Sequence, residues 1–199
     1  MSSRHLFYIH GFNSSPKSAK ANLLADYLRE QSDSVLPNIH YHVPALPYDP
    51  AAIIEILCRE VEACLPEDVA LVGSSMGGFY GTWIAEKYGL PLVLVNPAVR
   101  PHELLKDYLG ENENMYTGEK YTFTEAHIDT LKDLDVEPIT SPHRYYLLTQ
   151  TADETLDYRQ GVEKYRGAKQ VIQEGGSHGF DGFENEIPNI MKFLRLSKD

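Results

Sequence analysis

Val69-Ala70-Leu71-Val72-Gly73-Ser74-Ser75-Met76-Gly77-Gly78 is a short apolar run that breaks into a glycine-flanked serine and then reads as the start of a helix. From Gly73 the stretch fits G-x-S-x-G with Ser75 at the centre, the pattern of a nucleophile on a sharp strand-to-helix turn. The requirement is steric. The serine must occupy a strained turn for its hydroxyl to project above the sheet edge, and small residues at positions 73 and 77 let strand and helix approach. Five residues of this kind are common in loops, so the surrounding chain has to carry the reading.

Working outward, apolar runs and helix-period segments alternate. Leu6-Phe7-Tyr8-Ile9 reads as a strand ending in the loop His10-Gly11-Phe12-Asn13-Ser14-Ser15-Pro16. Ser18 can cap a helix that carries Leu23, Leu24, Tyr27 and Leu28. Ile39 to Val43 alternates as a strand, and Ile53, Ile54, Leu57, Val61 and Leu65 line one face of a helix that Pro66 should end. The opening strand leads into a helix from Met76 to Tyr88, in which Gly77, Gly78 and Gly81 predict close packing. Leu92-Val93-Leu94-Val95 is continuous enough for a strand buried on both faces.

From about Ala98 to Pro142 the periodicity weakens. Short helices are expected near Glu103–Leu109 and Thr124–Leu131. Such a length is too great for a simple loop. It reads either as a cap over a site or as a solvated insertion. Regular structure returns with a strand at Tyr145–Thr149, a helix at Tyr158–Tyr165, a strand at Gln170–Ile172 and a last helix carrying Ile187, Ile190, Phe193 and Leu194. Alternation of this kind predicts an α/β fold: one doubly wound, mostly parallel sheet of about six strands in a single 1–199 domain, with a cap-like insertion at about 98–142.

Sites in such sheets form at the carboxyl ends of the strands. Ser75, Asp153 and His178 each follow an apolar strand, in the chain order serine, aspartate, histidine. That set is expected to act as nucleophile, orienting acid and general base. Singly, each has an ordinary explanation as a turn, cap or surface residue; the coincidence at strand ends carries the assignment. Asp157 and Glu154 compete with Asp153 as the acid, Ser74 neighbours the nucleophile, and Asp181 is expected to cap the last helix. The backbone N–H groups of Met76 and Phe12 are the expected oxyanion donors, with His10 bracing the Phe12 loop. Tyr108, Tyr116, Tyr121 and Phe123 read equally as walls of an acyl pocket or as packing inside the cap.

The chain has 199 residues, enough for a substantial core, and a formal charge of −11 that argues against charge-driven binding to nucleic acid or anionic membrane. The two cysteines, Cys58 and Cys64, fall six residues apart in an expected helix, beyond disulfide reach, and are expected to be free thiols. Scarce unpaired cysteine suits a reducing compartment, so a cytoplasmic protein is expected. No stretch approaches the length of a membrane span. His40 and His42 share a strand face without an accompanying Cys, Asp or third His in sequence, so no metal and no cofactor is expected.

Taken together, His10-Gly11-Phe12-Asn13-Ser14-Ser15-Pro16, Gly73 to Gly78, Asn96-Pro97-Ala98-Val99-Arg100-Pro101, Asp153-Glu154-Thr155-Leu156-Asp157-Tyr158-Arg159 and Gly175-Gly176-Ser177-His178 resemble the YqiA-like esterases, small bacterial α/β-hydrolases. The likeness extends to Tyr108-Leu109-Gly110 and Tyr116-Thr117-Gly118 in the insertion, while Ala152 stands where the family pattern has glycine. The resemblance implies an α/β-hydrolase fold and hydrolysis of carboxylic esters, with acyl-CoA thioesters also attributed to the family, through Ser75, Asp153 and His178. On that reading the partner is a small-molecule ester or thioester, and Lys17 and Lys20 are candidates to meet a CoA phosphate. Acyl transfer or peptide cleavage on the same triad, and a catalytically silent binding protein of this fold, are the alternatives.

Overall fold

The computed structural model describes residues 3–31, 34–114 and 116–198. Its centre is a sheet of β1 (Arg4–Ile9), β2 (Ile39–His42), β3 (Asp68–Ser74), β4 (Leu92–Val95), β7 (Tyr145–Gln150) and β8 (Lys169–Gln173), in the order β2-β1-β3-β4-β7-β8. Every neighbouring pair is parallel. Strand order reverses between β1 and β3, so a crevice opens where the loops after these strands diverge.

The helices α1 (Ala19–Glu30), α2 (Pro50–Glu62), α3 (Met76–Tyr88), α6 (Tyr158–Lys164) and α7 (Phe183–Phe193) cover the two faces. Because successive strand side chains alternate, each of the four inner strands feeds two cores. Phe7, Ile9, Leu71, Leu92, Leu94, Tyr145 and Leu147 pack with α2 and α3 residues such as Leu57, Val61, Phe79 and Ile84. Leu6, Tyr8, Val72, Val93, Val95, Tyr146 and Leu148 pack with Leu24 of α1 and Phe183, Ile187, Ile190 and Met191 of α7. Both faces are buried, which is why these strands read as continuous apolar runs.

Local signals set several boundaries. Asp49 caps α2 by accepting from the Ala51 N–H at 2.9 Å, with Pro50 in the first turn. The helix ends at Glu62 rather than at Pro66, so Leu65 is exposed and Cys64 lies in the turn that follows, not in the helix. Ser18 holds the cap position of α1 without a side-chain cap bond. Asp181 does not cap α7; Gly182 takes that place, and Asp181 accepts from Ser177 Oγ instead. Both cysteines are free.

The 98–142 stretch carries α4 (Pro101–Leu104), a 3₁₀ turn at Leu105–Tyr108, an antiparallel hairpin of β5 (Gly110–Glu113) and β6 (Lys120–Phe123), and α5 (Glu125–Asp133). The single helix expected at Glu103–Leu109 is thus a short helix running into a tighter turn, and the hairpin was not expected. Thr124 caps α5 with His127 as its capping-box partner. Leu105, Tyr121, Phe123, Ile128, Leu131, Leu134 and Ile139 belong to the same core as α2 and α3, so the insertion is packed into the body. Among the described residues no helix is long and apolar enough to cross a membrane.

Candidate active site

Ser75 stands between β3 and α3 with φ 54° and ψ −123°, a conformation that costs a non-glycine residue about 1–3 kcal/mol. The turn is held from several sides. Ser75 N–H donates to Val95 O at 3.1 Å, and Ser75 O accepts from Gly78 and Ala98 N–H at 2.9 and 3.0 Å. Glycine is needed at position 77 because a Cβ there would lie 1.9 Å from Ile9 O, and at 73 because a Cβ would lie 2.4 Å from Gly77 O. The elbow is therefore pressed against the end of β1.

The loop ends of β7 and β8 bring the other two residues to it. His178 Nε2 lies 3.2 Å from Ser75 Oγ, and His178 Nδ1 lies 2.8 Å from Asp153 Oδ2. The Asp153 side chain is almost fully enclosed while that of His178 is about a quarter exposed. Burial pushes the Asp153 carboxyl up, but hydrogen bonds from His178 and from the Leu156 and Thr155 N–H groups outweigh it and hold the group below the usual carboxylate range. An anionic Asp153 holds Nδ1–H of the ring and leaves Nε2 free to accept the Ser75 proton.

The rival acids have other work. Asp157 caps α6 through the Arg159 N–H. Glu154 accepts the backbone N–H of His178 at 3.0 Å, which also holds its carboxyl below the ordinary value. It orients the histidine loop from outside.

Two buried amides that sequence reading passed over hold that loop from below. Asn96, with φ 41°, donates from Nδ2 to Ser177 O and His178 O at 2.9 and 3.1 Å, while its Oδ1 accepts from Gln150 N–H and Thr149 Oγ1. Gln150 Oε1 accepts the N–H groups of Ser177 and Asp181 at 3.0 and 2.9 Å. The available signal was positional: Gln150 ends, and Asn96 directly follows, a strand made mostly of apolar residues.

Facing the elbow, the Phe12 loop is braced by His10. Its Nδ1–H donates to Gly11 O and its Nε2 accepts from Leu46 N–H, so the ring is neutral, and burial lowers its pKa further. Among the described residues neither the Phe12 nor the Met76 N–H donates to a protein acceptor. Both remain available to a ligand.

Two clefts meet at Ser75 and His178. One, of about 390 Å³, is walled by Phe12, Met76, Ala98, Leu104, Leu105, Tyr108 and Leu156. The other, of about 320 Å³, is walled by Tyr8, Ser14, Ser18, Lys20, Ser74 and Tyr116. Tyr116 and Tyr108 thus lie beside the site, whereas Tyr121 and Phe123 line neither cleft. Tyr121 stacks on Tyr48 at 4.4 Å and its hydroxyl meets Asn13 Oδ1 at 2.6 Å; Phe123 is buried against Phe12 and His127. They clamp the Phe12 loop instead, because their alternation on β6 points both into the core below the hairpin. Lys20 Nζ donates to Gly179 O at 2.8 Å, and burial lowers its pKa against the opposing charge of Asp153.

Comparison with known proteins places this architecture. Residues 5–195 match the model of a family described as the uncharacterised protein family UPF0227, to which the YqiA-like resemblance points. A UPF0227 protein of Shewanella sp. (strain ANA-3) is 20% identical over 190 residues, covering 94% of this chain and 98% of that one. Est1E from Butyrivibrio proteoclasticus, solved with ferulic acid bound, is similar with a TM-score of 0.74 at 15% identity, over 98% of this chain and 88% of its own. Mouse alpha/beta hydrolase domain-containing protein 10 is similar with a TM-score of 0.73 at 13% identity, over 96% of this chain and 89% of its own. At these identities the likeness establishes the fold, that of the α/β-hydrolases.

Proposed function

The chain belongs to the UPF0227 family, and on that premise we propose that it is a serine hydrolase that cleaves small carboxylic esters through an acyl-Ser75 intermediate. The observation that carries the reading is the unbroken relay from Ser75 Oγ through His178 to a buried, ionised Asp153, at 3.2 and 2.8 Å. In the forward step Ser75 Oγ bonds to the ester carbonyl carbon as its proton passes to His178 Nε2. The carbonyl oxygen takes up the electron pair and the negative charge, facing the free N–H groups of Phe12 and Met76. Collapse of this adduct breaks the bond to the leaving oxygen, which takes the proton back from His178. Water then repeats the sequence on the acyl-enzyme, releasing the acid. Asp153 remains an anion throughout and stabilises the imidazolium.

The two clefts supply the substrate's two halves. The acyl chain fits the side walled by Leu104, Leu105 and Leu156, and the leaving group the side with Lys20, Ser18 and Tyr116. A thioester with an anionic leaving group, such as acyl-CoA, is the finer version of this proposal, with Lys20 on the wall of the polar cleft and Lys17 a second candidate nearby in sequence. No nucleic-acid or membrane partner and no cofactor enters it, and the cell compartment proposed is the cytoplasm.

The test is labelling by a fluorophosphonate together with turnover of p-nitrophenyl esters of graded acyl length. Wild type should be labelled and active, and Ser75→Ala neither. An unlabelled wild type, or a Ser75→Ala protein of equal activity, would overturn the assignment. Comparing matched oxygen esters with acyl-CoAs then decides the leaving group.

A further inference from the structure

At the amino end of the sheet, away from Ser75, the fold gathers side chains that are scattered in sequence. His40 and His42 are not alone on their face of β2: β1 sets His5 beside His40 in register, and the turn after α2 delivers Cys64 and Glu67. His5 lies at the register level of Val69, six residues before Ser75, so the cluster is about 20 Å from the nucleophile along the strands. His5 Nδ1 and His42 Nε2 face each other at 2.9 Å, and His5 Nε2 lies 2.8 Å from Glu67 Oε2. One ligand atom from each of His5, His42 and Cys64 lies within 4.8 Å of the other two, and all three residues are half-buried.

We propose that His5, His42 and Cys64 form a binding site for a single divalent transition-metal ion, zinc foremost. The chemistry of the donors favours it. Donation of Nε2–H to the Glu67 carboxylate leaves Nδ1 of the neutral His5 ring bare, and that nitrogen faces His42. A carboxylate on the outer nitrogen of a ligating histidine is the usual support of a zinc site, since it fixes the tautomer and raises basicity. Two imidazoles and one thiolate suit a borderline-soft ion better than calcium or magnesium, which take oxygen.

The geometry is close to what zinc needs. Bonds of about 2.0 Å to nitrogen in a tetrahedron put two nitrogens about 3.3 Å apart, so the facing pair must open by a few tenths of an ångström. Cys64 Sγ, which now donates to Glu60 O at 3.4 Å, must swing inward by about an ångström, a motion within one side-chain torsion. Binding exchanges zinc–water bonds for two zinc–nitrogen bonds and one zinc–sulfur bond. The thiol proton leaves to solvent, and the His42 proton moves from Nε2 to Nδ1. Water completes the fourth position on the open side, where the exposed His40 ring stacks on His5.

The test uses untagged, metal-stripped full-length protein titrated with Co²⁺ and then with Zn²⁺. Wild type should develop a near-ultraviolet thiolate-to-cobalt band and visible absorption of tetrahedral strength, saturating at one equivalent and displaced by zinc. Cys64→Ser should lose the thiolate band, and Cys64→Ser and His42→Ala should each bind at least tenfold more weakly, while Cys58→Ser titrates like wild type. Circular dichroism identifies any variant that fails to fold, in which case His5→Ala joins His42→Ala as the second reading. Absence of saturable one-equivalent binding in wild type, a thiolate band that survives Cys64→Ser, or undiminished binding in the histidine variants would each overturn the site.

Discussion

At the scale of single residues, the acid of the proposed relay is the position where sequence left a choice, and the geometry favours one candidate. Asp153 reaches His178, whereas Asp157 closes a helix end. Asp153→Asn should therefore lower kcat by about 10⁴-fold, as loss of the orienting anion does elsewhere, while Asp157→Asn, which keeps the capping oxygen, should leave kcat within a few-fold and stability nearly unchanged, and Asp157→Ala should lower stability by about 1 kcal/mol as a lost cap. Steady-state kinetics with a short ester and urea unfolding of these variants check both. Asp153 also bears on acid tolerance. Its folded-state pKa lies below the ordinary value, so its contribution to stability is complete above the unfolded pKa of about 3.9 and disappears as pH falls through the lower, folded value. Ser75 and His178 were legible because glycine and strand ends announce them. Asn96 and Gln150 were not, since a buried amide differs from a loop amide only in partners that fold from far along the chain.

At the scale of elements, the strand ends are set against one another through backbone rather than side chains. Gly77→Ala would drive a methyl into Ile9 O, and neither α3 nor β1 can yield without opening the elbow. A loss of about 3 kcal/mol or more is expected, seen as a lowered urea midpoint or an insoluble product. The loop after β1 adds a pH-sensitive brace. The pKa of His10 is lowered by burial, so the unfolded chain takes up the proton first. Stability is then full above about pH 6.5 and declines as pH falls from there toward the folded value. His42 shares that sign, so His10→Gln should lessen, not abolish, the fall in urea stability between pH 7 and pH 5. The four inner strands were readable because burial on both faces writes itself as unbroken apolar runs, whereas the half-buried edge strands β2 and β8 carry only alternating or short apolar patterns. The β5–β6 hairpin was not, because Gly110-Glu111-Asn112-Glu113 is polar on both sides and gains its place through partners far along the chain, by pairing with β6 and lying against the Phe12 loop.

At the scale of the whole molecule, the insertion and the edge that carries the proposed site are joined. Tyr121 from β6 meets Asn13, and Asn114 donates to Ser14 O, so the hairpin steadies the segment that carries the Phe12 N–H. Tyr121→Phe removes one such bond, worth about 1 kcal/mol. It should lower kcat about fivefold if that energy is felt at the transition state, with faster amide exchange across residues 11–15. Unchanged kcat alongside unchanged exchange would show that the hairpin leaves the loop alone. The insertion's own core is the larger matter. Ile128, Leu131, Leu134 and Ile139 share one apolar cluster with Leu57, Val61 and Ile84 of α2 and α3. A protein engineer wishing to transplant specificity from a relative therefore cannot exchange residues 98–142 as a cassette. The piece that can be exchanged is the insertion together with the α2 surface beneath it, and divergence between family members should have had to move the two in step.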